Sequence, residues 1–334
     1  MKPVERYHAV LEGRRPDYLP RIPILMGFAA REIGASYAEF ASDHRVLVEA
    51  NLRCAERYGL DQLSAISDPY RETTGFGGEI EYQADGPPRL LRPPLADSED
   101  LSILRQPDPE KTPRMRDRLD AIRAFARQVG GQYSIMGWVE GPAAQAASLR
   151  GVTDFLAGLI EEEEFSCQLM DHCLETAIEF ARAQVHAGAD TIGIGDAIAS
   201  QVGPDLYRRL ILPREKQLIR AIQSDGAATR VHICGDISPL LPFMSALGTD
   251  ILDVDWQVDP AAARAGVGPR TALAGFLDPV STVSAKDPAT IRGSLAGVHA
   301  RAGDPFMVAA GCEIPAATPP ENLLALCEPL VPAF

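Results

Sequence analysis

Short apolar runs separated by longer amphipathic stretches recur along this chain, and that alternation restricts its fold more than any other feature. The runs cover residues 22–26, 61–66, 132–138, 191–196, 229–235, 251–255, 270–275 and 305–310. Each has strand length and is bounded by turn-forming residues, as a strand buried on both faces of a parallel sheet should be. Their number is about eight, which a closed (β/α)8 TIM barrel requires. Amphipathic stretches at 37–58, 115–128, 161–186, 204–223 and 319–330 supply helices between them. For the last of these, Thr318 is the expected N-cap, with a proline after it and Glu321 completing a capping box. Residues 75–94 alternate and then turn at Asp85-Gly86-Pro87-Pro88, so a hairpin excursion is expected after the second strand. An N-terminal extension precedes the first strand. No linker, repeat or low-complexity tract divides the chain, and a single domain over 1–334 is expected.

With 334 residues, 46% of them apolar and 23% charged, the chain can bury a full core. A formal net charge of -14 with no basic block argues against nucleic acid as a partner. The first residues, Met1-Lys2-Pro3-Val4-Glu5-Arg6, lack the apolar core of a signal peptide, and no later run reaches membrane-spanning length. A soluble cytoplasmic protein with no membrane partner is the expectation. Its six cysteines, at 54, 167, 173, 234, 312 and 327, follow no disulfide spacing and should be thiols or metal ligands.

A barrel gathers its chemistry at the carboxyl ends of its strands. Polar residues stand there in number: Asp68, Trp138 and Glu140, Asp196, His232 and Cys234, Asp255 and Trp256, Asp278, then Cys312 and Glu313. Residues two apart on a strand share a face, so His232 and Cys234 can aim at one point while Ile233 faces away. One histidine and two cysteines form a three-ligand zinc set with a fourth position open, which suits catalysis. Each residue also has an ordinary reading: a buried cysteine packs as a small apolar side chain, an interior imidazole hydrogen-bonds, and an aspartate caps a helix or, before a proline as at Asp278, shapes a turn. Convergence of two strands distant in sequence on one donor set favours zinc.

The segments Gly137-Trp138-Val139-Glu140-Gly141-Pro142, Ala187-Gly188-Ala189-Asp190, Gly248-Thr249-Asp250-Ile251-Leu252-Asp253 and Gly311-Cys312-Glu313-Ile314-Pro315 resemble signature stretches of the uroporphyrinogen decarboxylase superfamily. Within it, His232-Ile-Cys234 plus Cys312 is similar to the zinc site of methylcobamide:coenzyme M methyltransferases and their bacterial relatives. That resemblance implies a methyl group moved between a methyl-corrinoid (cobalamin) protein and a thiol activated on zinc, with coenzyme M or an analogue as the thiol. It makes His232, Cys234 and Cys312 the metal ligands and Asp255 a fourth ligand that yields to thiol. Glu140 and Asp196 then position the substrate or the corrinoid rim, and Trp138 and Trp256 line the mouth or plug the barrel top. Asp68 matches the decarboxylases' pyrrole-binding aspartate, but of the paired arginines that hold that enzyme's substrate only Arg31, in Gly27-Phe28-Ala29-Ala30-Arg31, has a counterpart. Three alternatives stay open: the opposite half-reaction from a methylated small molecule to cobalt, decarboxylation, and a non-catalytic tetrapyrrole- or corrinoid-binding module with structural zinc.

Overall fold

In the computed structural model, which describes residues 1–332, the apolar runs form the strands of a curled parallel sheet. The strands are β1 (Gln62–Ser64), β2 (Glu79–Glu81), β3 (Arg89–Arg92), β4 (Ser134–Glu140), β5 (Thr191–Gly195), β6 (Ala228–Ile233), β7 (Ile251–Val254), β8 (Ala272–Gly275) and β9 (Phe306–Met307). Seven of them pair in the order β1-β4-β5-β6-β7-β8-β9, each neighbour parallel. The antiparallel pair β2-β3 is the expected hairpin outside that sheet.

The eighth barrel position is filled without a regular strand, which corrects the expectation for residues 22–26. Pro20 and Pro23 have no N–H to give to a ladder. The segment instead makes single contacts to both edges: Ile22 N donates to Val308 O (2.8 Å), Val308 N to Pro20 O (2.7 Å) and Asp61 N to Arg21 O (2.9 Å). Asp61 locks this closure, accepting from Arg21 N (2.8 Å), Arg21 Nε (3.1 Å) and Arg6 Nη1 (2.5 Å) while itself wholly buried.

The helices depart from expectation where a local signal intervenes. Residues 37–58 form two helices, Tyr37–Ser42 and His44–Tyr58, because Asp43 is extended and its carboxylate caps Arg45 N. Residues 161–186 fall into Val152–Glu161 and Glu163–Ala187. A wide π-turn at Tyr207–Ile211 precedes Leu212–Ser224, as a missing amide at Pro213 permits. At the C-terminal helix, Pro320–Leu326, Pro319 takes the cap position and Thr318 Oγ1 is buried without a partner, so the expected threonine capping box is not formed. Asp278 does shape its turn, accepting from Val280 N (2.8 Å) and Ser281 N (2.9 Å).

Register decides which side chains share the barrel interior. Glu140 pairs with Gly195, Gly195 with His232, and His232 with Asp253, giving one row across four adjacent strands. Residues in register on parallel strands project to the same face. Trp138, two residues earlier on β4 and so on the same face, lies across Gly193 and Gly195: a Cβ on Gly195 would sit 2.8 Å from its ring, and one on Gly193 would enter it. Two glycines on β5 therefore make room for one indole.

A candidate metal centre at the carboxyl end of the barrel

His232, the penultimate residue of β6, faces inward, Cys234 follows by one strand repeat, and Cys312 arrives on the loop after β9. Their donor atoms lie within 4.8 Å of one another. His232 Nε2 is 3.0 Å from Cys234 Sγ and 3.6 Å from Cys312 Sγ, and the two sulfurs are 3.8 Å apart. Tetrahedral zinc, with Zn–N near 2.0–2.1 Å and Zn–S near 2.3 Å, requires N···S edges of about 3.6 Å and an S···S edge of about 3.8 Å. Two of the three edges match, and the His232–Cys234 edge is closer by about half an ångström. The donors fit zinc after a small movement of one side chain.

The three donors also act on one another electrostatically. Burial works against a charged His232, but its hydrogen bond to Cys312 and the nearby Asp253 carboxylate outweigh that and raise it to about 9. The hydrogen bond with Cys234 pulls Cys312 down to about 4 against its burial, while the same contact and burial push Cys234 far up.

Behind the imidazole, Asp253 Oδ2 is 3.6 Å from His232 Nδ1 and is gripped by Arg230 Nε (3.0 Å) and Nη2 (2.6 Å). Arg230 also reaches Ile22 O (3.0 Å) and Gln62 Oε1 (3.1 Å) through Nη1, spanning the barrel floor. At 3.6 Å the Asp253–His232 contact is beyond a hydrogen bond, and Nδ1 has no other partner among the described residues, so Asp253 acts on the ring through its charge, from the side where a carboxylate supports a ligating histidine. Neither Arg230 nor Asp253 was singled out from the sequence. An arginine inside the apolar run 229–235 and an aspartate inside 251–255 were the available signals.

His232, Cys234 and Cys312 line a cavity of about 180 Å³ with Ile24, Met26, Ile66, Pro69, Trp138, Gly195, Ala197 and the acids Asp68, Glu140 and Glu313. A larger surface hollow, about 410 Å³ between the helices His44–Tyr58 and Pro113–Val129, holds none of these residues. A second grouping of possible donors, Asp43, His44 and Asp117, is part-exposed and already paired with Arg45 and Arg118.

Asp68 is held by Arg114 through two nitrogens (2.9 and 2.5 Å) and by Ser67 Oγ (2.7 Å). Burial would raise its pKa, but Arg114, Arg71 and Ser67 together leave it well below the ordinary range. Glu140 Oε1 accepts from Arg71 Nη2 (2.8 Å) and Trp138 Nε1 (3.0 Å). Burial pushes Glu140 up to about 8 despite Arg71, helped by the neighbouring Glu72. Glu313, which the sequence places at a strand end without a role, accepts from Gly27 N (2.9 Å) and is raised to about 7 by burial.

Three expected site residues lie elsewhere. Asp255 is outside the donor cluster, its oxygens accepting from Gly235 N (2.7 Å) and Trp256 N (2.8 Å), where it ties the loop carrying Cys234 to β7. Asp196 does not line the cavity and accepts instead from Ala143 N (3.3 Å) and Ala144 N (2.8 Å), at the start of the helix Pro142–Arg150. Trp256 is 49% exposed on the rim, whereas Trp138 is a buried wall.

A family model for uroporphyrinogen decarboxylase (URO-D) matches residues 2–330. The chain belongs to that family. A methylcobamide:CoM methyltransferase, MtaA, of Methanosarcina barkeri is 28% identical over 96% of this chain and 95% of its own. A uroporphyrinogen decarboxylase of Geobacter metallireducens is 25% identical over 98% of this chain and 94% of its own. A solved methyltransferase from Methanosarcina mazei superposes with a TM-score of 0.89 at 25% identity, covering 98% of this chain and 97% of that one. The URO-D family thus includes relatives of two activities at comparable distance, and the side chains at the carboxyl end of the barrel must discriminate between them. Among the described residues no helix is long and apolar enough to cross a membrane.

Proposed function

We propose that this protein is a zinc-dependent methyltransferase that moves a methyl group between a methyl-corrinoid protein and a small thiol. The observation that carries this reading is the triangle of buried His232 and half-buried Cys234 and Cys312, whose dimensions suit zinc and which lines the cavity. Zinc held there would lower the pKa of a bound thiol so that it is a thiolate near neutral pH. In the net reaction the thiol loses its proton, a sulfur–methyl bond replaces the cobalt–methyl bond, and the electron pair of the broken bond stays with cobalt.

Each residue of the chain then has a physical task. Asp253, clamped by Arg230, keeps the His232 ring turned with Nε2 toward the sulfurs. Asp255 holds the Cys234 loop through Gly235 N rather than completing the metal shell. Trp138, Ile24 and Ile66 exclude water from the reacting end, which strengthens electrostatic interactions there. Glu140 and Asp68 close the other end.

Decarboxylation is disfavoured by the same cavity. A polycarboxylate substrate needs cations, and Arg31, the counterpart of the decarboxylase pair, donates to Ala316 O (2.8 Å) on the exposed side.

Elemental analysis of the purified wild type, Cys234→Ala and Cys312→Ala, with circular dichroism as a folding control, tests the reading. About one zinc per chain in the wild type, lost in both variants along with methyl transfer from methylcobalamin to 2-mercaptoethanol, is the expected result. A wild type that stays free of zinc after supplementation overturns it.

A further inference from the structure

The acids around the cavity constrain the small molecule itself. Asp68, Glu140 and Glu313 line the cavity, and among the described residues no lysine or arginine does. The two nearest guanidinium groups stand behind carboxylates: Arg114 is bound in two places to Asp68, and Arg71, wholly buried, donates to Glu140. Arg31 faces away. A negative group in this cavity would find no free cation among the described residues, because Arg114 and Arg71 are already engaged by Asp68 and Glu140, and Asp68, held ionised by Arg114, would repel it.

On the strength of the zinc-thiol reading above, we propose that the molecule taken by this site carries no negative charge at the end away from its reacting atom. It is a neutral or cationic small thiol, or its methylated form, rather than a sulfonate or carboxylate. Coenzyme M, which ends in a sulfonate, is therefore a poor fit here even though relatives of this chain use it by name. Glu140, pushed up to about 8 by burial, can present either a hydroxyl to a neutral acceptor or a carboxylate to a cation.

Three thiols of equal length and different terminal charge discriminate: 2-mercaptoethanol, 2-aminoethanethiol and 2-mercaptoethanesulfonate. Each is titrated calorimetrically into zinc-loaded protein, and affinities are corrected for the thiol's own pKa. The neutral and cationic thiols should bind at least about tenfold more tightly than the sulfonate, the equivalent of one 1.4 kcal/mol step. In Asp68→Asn, which removes the ionised carboxylate and frees Arg114, the gap between cationic and sulfonate thiols should shrink at least about threefold. A sulfonate that binds as tightly as the others overturns the charge assignment while leaving the methyltransferase reading in place. A gap unchanged in Asp68→Asn overturns the assignment to that carboxyl. If no thiol binds the zinc-loaded protein, the methyltransferase reading fails and the charge inference with it.

Discussion

Replacing Glu140 by glutamine should flatten the protein's pH–stability profile, because a proton that the folded state retains is the source of its slope. Arg71 lies between two carboxyls, donating to Glu140 at 2.8 Å and standing 3.6 Å from Glu72, so one positive charge serves two potential negative ones. Burial lifts Glu140 from its ordinary 4.5 to about 8. Between those values the unfolded chain has released this proton and the folded chain has not. Stability therefore falls as pH rises through that window, and is greatest below it. At about 1.4 kcal/mol per pH unit the loss has a ceiling of about 5 kcal/mol. Because the buried charges around Arg71 titrate together rather than as single sites, the expected change is about 2–3 kcal/mol. Urea unfolding of wild type and Glu140→Gln from about pH 5 to about pH 9, with the slope of free energy against denaturant held common, measures it. The stability difference should drift toward the variant by that amount as pH rises. A difference that stays constant across the range refutes the reasoning and means that Arg71 keeps Glu140 ionised throughout.

Asp253→Asn should leave the fold intact by circular dichroism yet weaken zinc binding about 10- to 100-fold, as loss of a histidine's supporting carboxylate does, measured by competition with a chromogenic chelator. Undiminished affinity would mean that the Arg230–Asp253 pair only fills the barrel. Asp61→Ala removes the buried acceptor shared by Arg6 and Arg21 and should cost about 3 kcal/mol in chemical unfolding, since Arg6 keeps only the more exposed Asp17 and Arg21 keeps no carboxylate among the described residues. Gly193→Ala places a methyl group against the Trp138 ring and should lower stability by about 1–3 kcal/mol, with a change in tryptophan fluorescence.

Most of the barrel is legible in the sequence because strands buried on both faces must be apolar throughout, and seven of the eight runs form the sheet. The eighth fails as a strand for a reason also written in the chain, its two prolines, although the hydrogen bonds that let it close the barrel depend on Val308 and Asp61, far away in sequence. The donor cluster is legible for a local reason: His232 and Cys234 obey the two-residue repeat of a strand. The pairings Arg230–Asp253, Arg71–Glu140 and Arg114–Asp68 are not, since each joins elements whose adjacency exists only after the barrel closes.

Asp196 shows where the same rule could have been carried further. A polar residue leaving a barrel strand can turn to the cavity or to the helix that packs outside, and the parity of its position decides between them. On β5 the inward positions are Gly193 and Gly195, which face Trp138, so Asp196 has outward parity and meets the amides of Ala143 and Ala144. On β4 and β6 the inward positions are Trp138 and Glu140, then Arg230, His232 and, one step beyond the strand, Cys234, and these reach the barrel interior and its cavity. The paired glycines were the visible mark of the inward face, because only a missing side chain leaves room for a neighbouring indole. Counting from them assigns Asp196 to the helix and Glu140 to the site. Glu140 is thus found by strand parity, while its altered protonation follows from burial, against the pull of an arginine that no local pattern reveals.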